Sequence, residues 1–178
     1  EGATAQYENK KMIEVRKNAC IKSGKMLGIS HFTFLDFPDA KLDTIPQLEI
    51  NKELEKIIKK FKPEIVYTTP FNDLMIDHQK VHESTLVATR PISNTVKQIL
   101  CYEIPGIVKT PFNPNIYEGI DKEFKFKIKA FQIYESEVEQ FPHPRSVESI
   151  ENLALRRGIE SGLKKAEAFQ LVRQILDK

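Results

Sequence analysis

Apolar residues recur along this chain at two spacings, and the switches between them lay out its elements. From about residue 9 to 27, Met12, Ile13, Val15, Ala19, Cys20, Met26 and Leu27 mostly keep the spacing of one helix face, and Gly28 supplies a stop. Residues 31–37 alternate imperfectly and are aromatic-rich, which predicts a strand with Phe32, Phe34 and Phe37 in the core. Asp36, Pro38 and Asp39 then predict a turn. Leu48, Ile50, Leu54, Ile57, Ile58 and Phe61, with charges between them, predict an amphipathic helix over 48–61. The β-branched and aromatic run 64–69, bounded by Pro63 and Pro70, predicts a buried strand. A helix over roughly 77–89 follows and closes at Arg90-Pro91, because a residue before proline avoids the helical region.

The second half is less regular. Residues 96–103 read as a strand, 113–120 as a weaker strand, and 122–134 as a helix. Residues 140–145 form a loop with two prolines, and 145–178 read as mostly helical, interrupted near Gly158 and Gly162. Helices and strands alternate as in a doubly wound sheet, with no repeat and no linker. The expectation is one α/β domain over 1–178, long enough to bury a core.

Charge narrows the partners. A net charge of +2, with lysines scattered among glutamates, gives no case for nucleic acid. No apolar run approaches the length of a membrane span. Cys20 and Cys101 sit in apolar contexts and read as buried free thiols, with a disulfide as the alternative. The start, Glu1-Gly2-Ala3-Thr4-Ala5, shows no signal-peptide pattern and reads like the loop after a strand, so an upstream segment is expected. The expected location is the cytoplasm, and a homo-oligomer is allowed.

Chemistry concentrates where the 64–69 strand passes through a polar loop into the next helix. Ligands of open α/β sheets sit beyond the carboxyl ends of the strands. Here that place holds Asn72, Asp73, Asp77, His78 and His82 instead of a glycine-rich phosphate cradle. His78 and His82 are one turn apart and can share a helix face, as in helical zinc sites. The blander reading has Asp77 capping the helix and one histidine solvated. Asp77 beside His78 adds weight to the metal reading, since a neighbouring carboxylate can hold a ligand ring or a bound water. His31 and His143 have no such neighbours. Taken alone, Arg16 is a solvated helix residue, Asp39 a turn residue, and Glu167 a partner of Lys164.

Taken together, an ordered series of short matches resembles the PIG-L/LmbE-type zinc-dependent deacetylases, which act on N-acetylglucosamine and related sugars. It comprises Arg16 with Leu27-Gly28, Phe37-Pro38-Asp39, the run Lys62-Pro63-Glu64-Ile65-Val66-Tyr67-Thr68-Thr69-Pro70, and Asp73 with Asp77-His78. Ala88-Thr89-Arg90-Pro91, Tyr102-Glu103, Phe112-Asn113-Pro114, Lys129 with Tyr134-Glu135-Ser136, Arg157-Gly158 and Ala166-Glu167-Ala168-Phe169 continue it. The resemblance implies a Rossmann-like, open, mostly parallel sheet with helices on both faces. It implies a metal-dependent hydrolase that removes acetyl from an N-acetylated amino sugar or glycoconjugate, with a zinc or other divalent ion. His78 takes the place of a zinc ligand and Asp77 that of its orienting or proton-handling neighbour, while Arg16, Asp39 and Asp73 shape the substrate site. The family's His-Pro-Asp-Asp motif, which carries two further ligands and the general base, is absent from these 178 residues and is expected upstream with the first strand–helix unit. Met75 stands where some members carry a histidine, and Ala19 where a glutamate is frequent. The alternative is a non-catalytic Rossmann-like module that binds a sugar or a partner protein.

Overall fold

The computed structural model describes residues 10–93, 95–106 and 109–176. Its elements in order are α1 (Lys10–Met26), α2 (Gln47–Phe61), β1 (Ile65–Thr68), α3 (Ile76–Ala88), β2 (Gln98–Tyr102), β3 (Ile116–Gly119), α4 (Phe124–Gln132), α5 (Val147–Ser161) and β4 (Ala166–Gln174). A short 3-10 helix, Leu42–Thr44, precedes α2. Stops fall where the backbone turns left-handed. Gly28 after α1 has φ 83°, and Gly162 after α5 has φ 73°. At its other end α5 is capped by Ser146, whose hydroxyl accepts the Ser149 N–H at 3.0 Å.

The sheet is open and four-stranded in the order β1-β2-β4-β3, so the α/β class and the open sheet are both found. It is mixed. β1 and β2 run parallel, Val66 opposite Ile99, whereas β4 runs antiparallel to β2, Phe169 opposite Tyr102. β2 is the buried strand: Ile99 is 0% exposed, and Leu100 and Cys101 are close to it.

β1 lies where expected but is not the buried strand read there, since Ile65 and Tyr67 are about half exposed and only Thr68 is buried. Two predicted elements come out differently. Residues 31–37 lie in no strand, because among the described residues no ladder partner pairs with them. Their aromatics serve α1 instead. The Phe32 ring fills the space where a Cβ on Gly24 would sit, and Lys17 Nζ lies 5.5 Å from the Phe34 ring centre. Phe32 and Phe37 are half-buried and Phe34 is exposed, so they are not the fully buried core expected of them. The second difference is β4, which replaces the helix read over 166–174. Its residues are good helix formers, but buried Ala166 and Ala168 flank half-buried Glu167, the period of a strand, and β2 offers a ladder.

The chain divides into two compact units. One takes the chain up to Phe34 together with Glu118–Glu167; α1 packs on α4, and Ile120, Phe124 and Ala154 form a core with Ile128 and Ile150 against it. Glu167 pairs here with Lys127, while Lys164 lies 3.8 Å from Asp121. The other unit takes Leu35–Tyr117 with Ala168–Lys178. In it α2 packs on α3, β1 pairs with β2, and Ile50, Ala88, Val96 and Ile99 are buried.

Gly158 sets a tight constraint in the first unit. A Cβ there would lie 2.6 Å from the Lys164 carbonyl oxygen and 2.7 Å from that of Leu163, both backbone atoms that cannot swing away. Gly158→Ala is expected to cost about 3 kcal/mol through overpacking. Gly162→Ala, strained only in φ, should cost about 1 kcal/mol. Urea unfolding midpoints of the two variants check the order; equal losses would refute the close approach.

Candidate active site

The site is built from the carboxyl end of β1. Thr69, buried just past the strand, uses both of its polar groups on α3: its hydroxyl donates to the His78 carbonyl at 2.7 Å, and its own carbonyl lies 2.8 Å from His82 Nδ1. A carbonyl can only accept, so the proton of His82 sits on Nδ1. One residue earlier, the Thr68 hydroxyl donates to Thr85 Oγ1 at 3.1 Å, and Thr85 in turn donates to the Val81 carbonyl at 2.7 Å. Strand and helix are thus joined by short side chains that reach backbone groups directly.

The loop between them is organised by Asp73, which is 4% exposed and therefore needs partners for its charge. Oδ1 accepts the Met75 N–H at 2.8 Å, and the Asp73 carbonyl accepts from Gln79 Nε2 at 2.7 Å. Oδ2 lies 3.0 Å from His78 Nδ1. The approach is an ion-pair contact whose angle falls short of a hydrogen bond; a proton on Nδ1 facing this carboxylate leaves Nε2 as the nitrogen able to bind a cation, the arrangement common to histidine ligands.

Asp77 is also buried, but its carboxylate looks elsewhere: Oδ1 accepts the Leu42 N–H at 3.0 Å. It does not cap α3, whose N-cap is Met75 with no side-chain bond. By holding Leu42 it pins the 3-10 helix that follows the Asp39 turn. Asp39 itself is exposed and its Oδ1 accepts the Ala40 N–H at 3.1 Å, with Ala40 at φ 55°. Asp39, Asp73, Asp77 and His78 therefore belong to one unit, and Asp77 links the segment carrying the first to the helix carrying the last.

His82 is buried beside the strand end, with its Nδ1 against the Thr69 carbonyl and Cys101 Sγ 3.5 Å away. Among the described residues no group of three or more His, Cys, Asp or Glu side chains is placed to hold a metal. His78 with Asp73 fits one ligand and its support; further donors would have to come from outside the described residues. Cys20 and Cys101 are both free thiols, as expected, and burial pushes the Cys101 thiol up to about 11. A cavity of about 490 Å³ lies against His82 and Cys101, walled by Phe71, Asn72, Thr110 and Gln170.

Arg16 belongs to the other unit. Its Nη2 donates to Glu137 Oε1 at 2.6 Å, and Arg145 Nη1 donates to Glu137 Oε2 at 2.5 Å. Neither Glu137 nor Arg145 is marked by the sequence, since a pairing across 121 positions leaves no periodic trace.

Comparison with known proteins agrees with the fold. The family model for PIG-L, GlcNAc-PI de-N-acetylase, matches residues 1–89, and the chain belongs to that family. Among solved structures, the conserved protein TT1542 from Thermus thermophilus is similar at 23% identity with a TM-score of 0.74, over 93% of this chain and 76% of that one. The N,N'-diacetylchitobiose deacetylase from Pyrococcus horikoshii is similar at 20% identity and a TM-score of 0.70, over 96% of this chain and 68% of that one. GalB, the 4-carboxy-2-hydroxymuconate hydratase from Pseudomonas putida KT2440, is similar at 17% identity and a TM-score of 0.72, over 100% and 82%. At these identities the likeness is one of fold. No helix among the described residues is long and apolar enough to cross a membrane.

Two outcomes are expected of this geometry. Asp77→Ala leaves the Leu42 N–H buried without its acceptor and should cost about 2 kcal/mol, while Asp77→Asn keeps an acceptor and should cost less; thermal unfolding checks the order. A thiol raised from 9.0 to about 11 holds about 100-fold less thiolate near pH 8. Alkylation mapped by peptide mass should therefore modify Cys101 appreciably only once the chain is unfolded. Labelling of Cys101 at the same rate in native and unfolded chains would contradict its burial.

Proposed function

We propose that this chain forms part of the site of a hydrolase that removes the acetyl group from an N-acetylated amino sugar or glycoconjugate, with His78 as a ligand of a divalent cation, zinc by family likeness. The observation that carries the reading is the Asp73–His78 contact at the carboxyl end of β1, in a chain of the de-N-acetylase family. The deacetylase of similar fold supports it. Fold alone would not, because a hydratase shares that fold, and reactions belong to sites rather than to folds.

In the reaction a water oxygen adds to the acetamide carbonyl carbon, the C–N bond breaks, the amine nitrogen takes up a proton, and acetate leaves. A divalent cation, when bound, supplies Lewis-acid chemistry at that carbonyl and a more acidic water. This chain's residues do the rest of what is assigned to it. Asp73 faces the Nδ1 side of the His78 ring, which assigns Nε2 as the donor atom. Asp77 is a positioning residue: with one oxygen committed to Leu42 it fixes the segment after Asp39 against the start of α3. Asp39, whose carboxylate sits on an exposed turn, and Arg16 are substrate contacts, suited to sugar hydroxyls or charged substituents.

Metal content and acetate release from an N-acetylated amino sugar, measured on the purified protein, test the reading. Asp73→Asn should weaken metal binding about 30-fold, in the range for loss of a carboxylate that supports a ligand. His78→Ala should lose more metal than Asp73→Asn and nearly all turnover. Zinc and acetate release undiminished in His78→Ala would overturn the ligand assignment. Metal-free chains that bind the sugar without releasing acetate would favour a binding module.

A further inference from the structure

In the unit that contains α1 and α4, two guanidinium groups converge on one carboxylate. Glu137 bridges Arg16 and Arg145 with one oxygen to each, at 2.6 and 2.5 Å, and the three side chains are 15%, 29% and 32% exposed respectively. The Arg16 Nε is buried and has no acceptor, so that guanidinium is only partly satisfied. A second carboxylate, Glu139, comes no closer than 4.0 Å to Arg145 and is about half exposed, so water screens it. Beside the trio lies a cavity of about 290 Å³, which Phe131 and Tyr134 complete. That volume is at the lower end for ligand sites, roughly 300 Å³. Burial, and then the contact with Cys20, pushes the Tyr134 phenol up to about 12, so this wall carries no charge near neutral pH. Glu137 sits in a turn over 135–137, outside any helix or strand.

An ion-pair staple accounts for the three charges but not for the cavity beside them. Guanidinium forks match the oxygen geometry of phosphate as well as that of carboxylate. A phosphate dianion carries twice the charge of Glu137 and offers three oxygens, so it can engage both forks at once. We infer that this cavity is a subsite for a phosphate monoester and that Glu137 is the internal carboxylate which the incoming dianion displaces. Glu137 offsets the repulsion between the two arginines and holds both beside the cavity until that exchange. The inference extends the reading of Arg16 as a substrate residue but needs no turnover, so it stands or falls separately from deacetylation.

Calorimetric titration of the whole chain with inorganic phosphate tests it, with acetate as the carboxylate arm. Phosphate should bind, and acetate should bind more weakly. Removing the competing charge in Glu137→Gln should tighten phosphate binding about tenfold, and removing one fork in Arg145→Met should weaken it about tenfold. If Arg145→Met does not fold, Arg145→Lys, which keeps the charge and loses the fork, takes its place with the same direction of change. Phosphate bound no tighter by Glu137→Gln than by the parent chain, or unaffected affinity in the Arg145 variant, would overturn the proposal. Acetate bound as tightly as phosphate would overturn the phosphate-monoester assignment.

Discussion

Everything at the carboxyl end of β1 depends on Thr69 being held by α3 through two bonds at once. Its hydroxyl is committed to the backbone of His78 and its carbonyl to the ring of His82, positions one helical turn apart. A strand end tied at two successive turns can neither slide along the helix nor rotate about it. The His78 side chain therefore inherits a fixed starting point. Asp73 then sets the ring itself, using one carboxylate oxygen on the imidazole and the other on the Met75 N–H. A buried carboxylate would be costly here if either contact were lost, so the loop 70–75 is ordered by the same group that orients the histidine.

The part of this that sequence reveals is the part encoded locally. Pro63 and Pro70 around a β-branched run announce β1, and the heptad-like spacing of Ile50, Leu54 and Ile57 announces α2. The polar loop with Asp73 and the Asp77-His78 pair is visible as a concentration of chemistry at a strand end. What escapes is the direction of each side chain. Asp77 looks like a helix cap in sequence, yet α3 is capped at Met75 without a side-chain bond and one Asp77 oxygen serves Leu42, which is 35 positions away. His82 looks like a partner of His78, yet its ring turns inward to Thr69 and Cys101.

The two misread elements fail for related reasons. Phe32 and Phe34 have strand-like composition, but a strand exists only where another strand offers its backbone, and these rings are taken up by α1 at Gly24 and Lys17. Ala166 to Gln174 has helix-forming composition, but β2 offers that backbone, and the ladder outweighs preferences of a few tenths of a kcal/mol per residue. The mixed sheet follows from the same fact. A last strand that returns antiparallel beside β2 gives the parallel β1–β2 pair a closed flank without requiring another crossover helix.

The carboxylates of this chain show why function must be argued from partners instead of residue type. Asp73, Asp77 and Glu137 are all largely shielded from water, and each would be unstable as an isolated charge. Asp73 faces an imidazole and an amide, which places it to orient that ring. Asp77 gives one oxygen to a backbone amide, which ties two segments together. Glu137 faces two guanidiniums beside a cavity, which makes it replaceable by any better anion that fits. The distinction rests on what remains if the carboxylate leaves: beside Leu42 an unsatisfied amide, and at Arg16 and Arg145 two guanidiniums that line a cavity.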